Sequence, residues 1–241
     1  MLGKNKNVVG FIFARSGSKG IIDKNIKLFD KIPLIAHSIN IGMKCPSIDQ
    51  IIVSTDCQKI AEIATEYGAE VPFIRPKELA QDSSKELDAW KHSIKEYKKH
   101  YDKNIDLFVS LPPTAPLRSV EDVENCINEY NENSCDIVIT VKEAKNNPYF
   151  NMIKKNSLGF SELVISEIKK SSSRRQDAPE VFDMTTVAYV ANPKYILNSS
   201  NILNGKVRSV LIPDIRAVDI DNIIDFKFAK FLKEQTNNEK K

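Results

Sequence analysis

The amino-acid sequence predicts an α/β protein: a mainly parallel central sheet flanked by helices, with a small protruding flap. Three observations carry this reading. Val8–Ala14 is an unbroken apolar run, the pattern of a strand buried on both faces rather than on one. From there to Val141, strand-like and helix-like segments alternate, and strand–helix–strand units close by right-handed crossovers into a parallel sheet. Beyond Val141 the rhythm breaks. The stretch 144–185 carries Pro148, Gly159, Pro179 and a Ser171-Ser172-Ser173 run with weak alternation, as hairpins inserted into a domain would.

The elements follow in order. Pro33 opens a helical pattern through Lys44, with Leu34, Ile35, His37, Ile39 and Ile41 at helical spacing. Gln50–Thr55 reads as the second strand. Gln58–Tyr67 places Ile60, Ala61, Ile63 and Ala64 on one helical face, and Val71–Ile74 reads as a short third strand. A long helix is expected over Lys85–Tyr101, a strand over Asp106–Leu111, a helix over Glu121–Tyr130 and a strand over Asp136–Val141. After the flap, Val187–Val190 is apolar again, Val207–Ile212 forms a late strand, and Ile223–Leu232 closes as an amphipathic helix. There is no internal repeat, and no linker is long enough to separate independent domains. Residues 1–241 are therefore read as one domain, with 144–185 inserted in it.

At 241 residues the chain suits one large domain. Hydrophobic residues at 41% and charged residues at 28% are the ordinary globular mix. A net charge of +3 without a long basic stripe argues against a nucleic-acid partner, so any electropositive site must be local. Val8–Ala14 is too short to span a bilayer and no small-residue cleavage site follows it, which predicts no membrane association and a cytoplasmic location. Cys45, Cys57, Cys126 and Cys135 form no CxxC pair, as expected of reduced thiols, and His37, His92 and His100 complete no zinc set. The polar tail after Gln235 is expected to fray.

The strongest local signal follows the first strand: Ala14-Arg15-Ser16-Gly17-Ser18-Lys19-Gly20, then Lys24-Asn25. In an open parallel sheet, ligands bind beyond the carboxyl ends of the strands. Glycines there let backbone N–H groups approach a polyanion, while Arg15, Lys19 and Lys24 supply charge. The loop is neither GxxxxGK[ST] nor a complete GxGxxG. It can be a solvated basic loop, but three cations within ten residues of a buried strand favour phosphate binding.

A second signal is Val218-Asp219-Ile220-Asp221. On an extended segment, aspartates at i and i+2 share a face roughly 6–7 Å apart, which suits a hard divalent cation. Asp221 could instead cap the helix beginning near Asn222. Taken alone the pair serves either purpose; beside a phosphate-binding loop, metal binding is the better reading. A third signal, Lys169-Lys170 with Arg174-Arg175-Gln176-Asp177, is from its pattern a solvated charge run. His37 on an apolar helical face reads as a packing residue, as do Tyr149, Phe150 and Phe182. No Ser/His/Asp order supports nucleophilic hydrolysis.

These residues resemble the acylneuraminate cytidylyltransferase family, the CMP-sialic acid synthetases. The likeness rests on the Ala14–Asn25 loop, Ile52-Val53-Ser54-Thr55-Asp56, Arg75-Pro76 with Leu79-Ala80, Pro113-Thr114-Ala115-Pro116-Leu117-Arg118, Arg175-Gln176 and Asp219-Ile220-Asp221. The matches run in order over nearly the whole chain. The resemblance implies a nucleotide-diphospho-sugar transferase-like fold, CTP and an acidic sugar as substrates, Mg²⁺ dependence, and a homodimer built through the flap. It implies that Ala14, Arg15, Ser18, Lys19, Gly20, Lys24 and Asn25 line the nucleotide site and that Arg75 lies near the cytidine. Thr114, Arg118, Arg175 and Gln176 fall to the sugar, with Arg175 crossing to the neighbouring subunit. Asp219 and Asp221 hold the metal, and with Arg15 and Lys19 form the catalytic set.

Two departures bear on the sugar. Pro112 stands where many sialic acid enzymes have Gln, and Thr185-Thr186 replaces the usual Asn-Gly. With Asn147-Pro148-Tyr149-Phe150-Asn151 and Arg175-Gln176-Asp177-Ala178-Pro179, the chain looks more like the legionaminate-type enzymes. The expected reaction is in-line attack by the anomeric hydroxyl of a legionaminate-like nonulosonate on the α-phosphorus of CTP. The alternatives are N-acetylneuraminate, pseudaminate or 3-deoxy-manno-octulosonate as acceptor, or a non-catalytic nucleotide-binding protein on the same fold.

Overall fold

The structure is a computed structural model that describes residues 6–82, 84–166 and 174–238, with backbone alone at 175, 237 and 238. β1 (Val8–Phe13) leads through a loop and a two-strand ribbon, β2 (Leu28–Phe29) and β3 (Ile32–Pro33), into α1 (Leu34–Lys44). There follow β4 (Gln50–Ser54), α2 (Gln58–Glu66), α3 (Glu86–Tyr101), β5 (Leu107–Ser110), α4 (Val120–Glu132) and β6 (Ile137–Glu143). A small hairpin, β7 (Ile153–Lys155) and β8 (Ser161–Leu163), precedes β9 (Phe182–Ala191), α5 (Pro193–Asn198), β10 (Val207–Leu211) and α6 (Ile223–Asn238).

Six strands form the central sheet in the order β10-β6-β9-β5-β1-β4. β1 runs parallel to β4 and β5, and β10 parallel to β6, while β9 lies antiparallel between β5 and β6. The sheet is mainly parallel, as predicted. Its burial explains the apolar run of β1. Val8 and Ile12 face the cluster holding Ile35 and Ile39 of α1, Ile60 of α2 and Val123 of α4. Val9 and Phe11 face Trp90, Ile94 and Tyr97 of α3 and Ile196 of α5. Alternate side chains of one strand thus feed two cores, and each fully buried large side chain stabilises by about 1.5–3 kcal/mol.

The structure corrects several expectations. Val71–Ile74 is no strand: only single bridges, Ile52–Glu70 and Thr55–Ile74, flank it. Pro72 between them has no N–H to give a ladder. Helix α4 begins a residue earlier than expected, because Ser119 and Asp122 form a reciprocal capping box. The helix α5 had a legible start in Asn192-Pro193, with the Asn192 side chain accepting from Lys194 N–H, but six residues show no periodicity. β9 begins at Phe182, which pairs with Glu143, so the last residues of the predicted 144–185 flap belong to the sheet. Within that flap the described residues form the β7–β8 hairpin and a short turn over Arg175–Asp177, and Lys169 and Lys170 lie outside the described residues. Helix α6 reaches Asn238, beyond the predicted Leu232. Among the described residues no helix is long and apolar enough to cross a membrane.

Candidate active site

The carboxyl ends of β1 and β5 open onto a cavity of about 430 Å³. The first wall is the loop after β1. Gly17 takes a left-handed φ of 66°, which lets the loop reverse. Asp56, just past β4, holds it from below: its two carboxylate oxygens accept from Ser16 N–H at 2.8 Å and Ser16 Oγ at 2.6 Å. Burial pushes the Asp56 carboxyl up, but those hydrogen bonds and the nearby Arg75 charge outweigh it and hold it below the usual range. Asn25, itself buried, donates from Nδ2 to the Arg15 carbonyl at 2.9 Å.

The loop cations divide by partner. Lys24 donates from Nζ to the Ile220 carbonyl at 2.7 Å and lies 3.5 Å from Asp221 Oδ1, so it ties the loop to the acidic segment. Gly20 meets that segment directly, since a Cβ there would run into the Asp221 carbonyl oxygen. Arg15 and Lys19 instead face the cavity and both pair with Asp82. Arg75 is almost fully buried, its Nε has no hydrogen-bond partner, and it lines the same cavity. Burial lowers its pKa, with Asp56 opposing and Arg15 adding to the shift. A buried donor without a partner costs free energy unless a ligand satisfies it.

Asp219 and Asp221 enter from the far side. The turn before them is pinned by Arg216, whose Nε and Nη2 grip the buried Asp122 carboxylate at 2.9–3.1 Å. Ile220 points inward, fully buried with Phe29, Leu34 and Phe226, and its N–H donates to the Thr114 carbonyl at 2.8 Å. This turns both aspartates to the cavity. Asp219 Oδ1 is buried with no hydrogen-bond partner. Asp221 does not cap α6. Asn222 Oδ1 accepts from Ile224 and Asp225 N–H, and Asp225 Oδ2 accepts in return from Asn222 and Asp221 N–H. The capping alternative falls. No group of three His, Cys, Asp or Glu side chains is poised for a metal among the described residues. An orphaned buried carboxylate oxygen with an open carboxylate two residues on nevertheless fits the oxygen ligands a hard divalent ion takes.

Comparison with known proteins accords with this geometry. The profile described as cytidylyltransferase matches residues 9–188, three quarters of the chain. The chain belongs to the cytidylyltransferase family. It is 31% identical to the CMP-N,N′-diacetyllegionaminic acid synthase of Campylobacter jejuni over 92% of each chain. It is 30% identical to the post-translational flagellin modification protein B of Campylobacter coli over 94% of each. Among solved structures, a CMP:2-keto-3-deoxy-manno-octonic acid synthetase complexed with CTP superposes with a TM-score of 0.71 at 12% identity. It covers 96% of this chain and 100% of that one, a likeness of fold.

In this cytidylyltransferase the cavity wall includes Arg15, Ser18, Lys19, Gly20, Lys24, Asn25, Arg75, Thr114, Asp219 and Asp221, all anticipated from sequence. Other predicted positions fall elsewhere. Ala14 is fully buried, and its N–H is engaged by the Ser54 carbonyl at the end of β1. Arg118 is no cavity residue. It is buried, donates to the carbonyls of Ala115, Pro112 and Thr186 while its Nη1 has no hydrogen-bond partner among the described residues, and burial depresses its pKa to about 9. It positions the 112–115 loop against β9. Gln176 is exposed in the flap turn and not on the wall, and the Arg175 side chain lies outside the described residues.

Sequence reasoning missed Asp82 and Glu86 and gave Asp56 no role beyond its place in Ile52-Val53-Ser54-Thr55-Asp56; Thr186 it placed, with Thr185, where the sugar is read. Thr186 Oγ1 lies 3.3 Å from Thr114 Oγ1 on the wall. It is aimed there by an irregularity in the β6–β9 register, where buried Thr140 Oγ1 bonds Thr185, Ala188 N–H and the neighbouring carbonyls. Glu86 is exposed at the cavity edge, yet its carboxyl is crowded enough that lost solvation, then the Asp219 charge, raises its pKa. The cavity is open to water, so solvent screening keeps the energetic cost of that crowding small. Single carboxylates in polar loops carry no pattern that periodicity can register.

Proposed function

We propose that the protein transfers CMP from CTP to an acidic nine-carbon sugar of the legionaminate type, releasing pyrophosphate, and that it works as a cytoplasmic homodimer with Mg²⁺. The observation that carries this is one cavity with Arg15 and Lys19 on one wall and the unpartnered, buried Asp219 Oδ1 on the other. Phosphates and a carboxylate-bound cation belong between two such walls.

The chemistry asked of the chain is positioning and charge neutralisation. The anomeric hydroxyl oxygen bonds to the α-phosphorus as the bond to the bridging oxygen breaks, and the hydroxyl proton passes to water. Negative charge grows on the departing pyrophosphate, where Arg15 and Lys19 would neutralise it. The unsatisfied Arg75 donor is placed to meet an acceptor on the nucleotide. Asp219 and Asp221 would hold Mg²⁺, which when bound polarises a phosphate oxygen and lowers the pKa of a hydroxyl beside it. No side chain need bond covalently to substrate, in keeping with the missing nucleophile constellation.

Pro112 and Thr186 on the wall support an acceptor other than N-acetylneuraminate, and the named legionaminate relative supports the sugar class. Ile153, Leu158 and Phe160, exposed on the flap hairpin and its turn, support a partner surface there. The test is pyrophosphate release with CTP, Mg²⁺ and a panel of legionaminate, pseudaminate, N-acetylneuraminate and 3-deoxy-manno-octulosonate. Fastest release is expected with legionaminate. Preference for another acid would overturn the sugar assignment, and no release with any would overturn cytidylyl transfer.

A further inference from the structure

Asp82 puts a carboxylate where a phosphate belongs. One of its oxygens meets Arg15 Nη2, and the other lies 2.5 Å from Lys19 Nζ. Each oxygen thus takes one cation, as two oxygens of a single phosphate group would. Asp82 comes from the segment between the turn Lys77–Leu79 and α3, and lies 67 residues from Arg15 in sequence. Of the other basic side chains on the cavity wall, Lys24 holds the acidic segment, Arg75 is sunk in the wall and Lys85 stands at the start of α3. Asp82 therefore occupies the two cations of the loop after β1 that face the cavity without another carboxylate partner among the described residues. The hydrogen bonds from Lys19 and Arg15 hold its carboxyl below the usual range, so it stays ionised at neutral pH.

We propose that Asp82 is a built-in competitor for the anion site: it holds Arg15 and Lys19 before nucleotide enters, is displaced by the phosphates, and recaptures both cations as pyrophosphate leaves. This rests on the phosphate-binding reading of the Arg15–Lys19 loop and adds to it a means of product release. A triphosphate or pyrophosphate carries more charge than one carboxylate and wins the site at working concentration. The tethered carboxylate is always within reach, however, so it acts at high effective concentration once the product loosens.

The test is Asp82→Asn, nearly isosteric and on an exposed segment, with Asp82→Ala as a second variant that cannot hydrogen-bond. Sodium pyrophosphate and CTP are titrated calorimetrically into the full-length protein, and inhibition by pyrophosphate is measured against CTP. Exposed ion pairs are individually weak, so both variants are expected to bind pyrophosphate about three- to tenfold more tightly than the wild type. The gain should shrink as salt is raised. A role confined to holding the loop in shape predicts the opposite sign, and equal or weaker pyrophosphate binding by both variants overturns the proposal. If the wild type and both variants bind no pyrophosphate, the phosphate-loop reading itself fails; if the wild type binds and neither variant binds more tightly, only the role of Asp82 falls.

Discussion

Asn222 and Asp225 divide the capping of α6 between them, which leaves the Asp221 carboxylate exposed, with only a 3.5 Å ion pair to Lys24 Nζ among the described residues. Asp221→Asn should therefore shift stability by no more than about 0.5 kcal/mol, while kcat falls about a hundredfold or more if the residue holds the cation. Asp219→Asn should act in the same direction, and the two losses should not add, since both oxygens serve one ion. Measuring kcat and Tm across a Mg²⁺ titration decides the matter: wild-type turnover of Asp221→Asn at low Mg²⁺ would leave the metal site without support. The aspartate pair was legible because spacing two apart is a one-dimensional fact. Which residue caps the helix was not, since Asp221-Asn222 offers two capping side chains and only the three-dimensional turn chooses. Arg118 was illegible in a different way. A sequence shows an arginine near a loop but not that its guanidinium is buried against three carbonyls.

Two elements far apart in the chain, the loop after β1 and the segment leading into α6, meet at Gly20 and Lys24 with almost no tolerance. Gly20→Ala would put a methyl into the Asp221 carbonyl and move one element or the other. Such overpacking costs about 1–3 kcal/mol, and because the displaced segments carry the cations and the acidic pair, kcat/KM for CTP should fall more than tenfold. Kinetics beside a thermal melt check this, and a fully active Ala variant would mean the two walls need no fixed distance. At this scale the helices and long strands followed from periodicity because each buries one stripe or two faces. The Val71–Ile74 segment failed because Pro72 interrupts the donors that alternation cannot weigh. β9 was half-seen: Val187–Val190 lies wholly in the core, but Phe182-Asp183-Met184 was taken into the flap, and Phe182, read as a packing residue, is exposed there.

For the molecule as a whole, the open question is whether one chain makes a complete site. If the flap reaches the neighbouring subunit, Arg175→Ala and Lys19→Ala chains, each impaired alone, should rescue one another when mixed. A hybrid dimer then has one intact site of two, and random pairing gives half hybrids, so about a quarter of wild-type activity should return. Activity of the mixture, with heterodimers verified by mass, tests this, and no recovery would place each site within one chain.

The antiparallel course of β9 has a consequence for how such proteins diversify. Chain leaves the sheet at Glu143 and re-enters at Phe182, its direct pairing partner, so departure and return are one pairing step apart. A parallel strand would have needed a crossover across the sheet. Here everything between is a closed excursion whose length and composition the core does not sense. Such a segment could change length or composition without disturbing the strand pairing that closes the sheet.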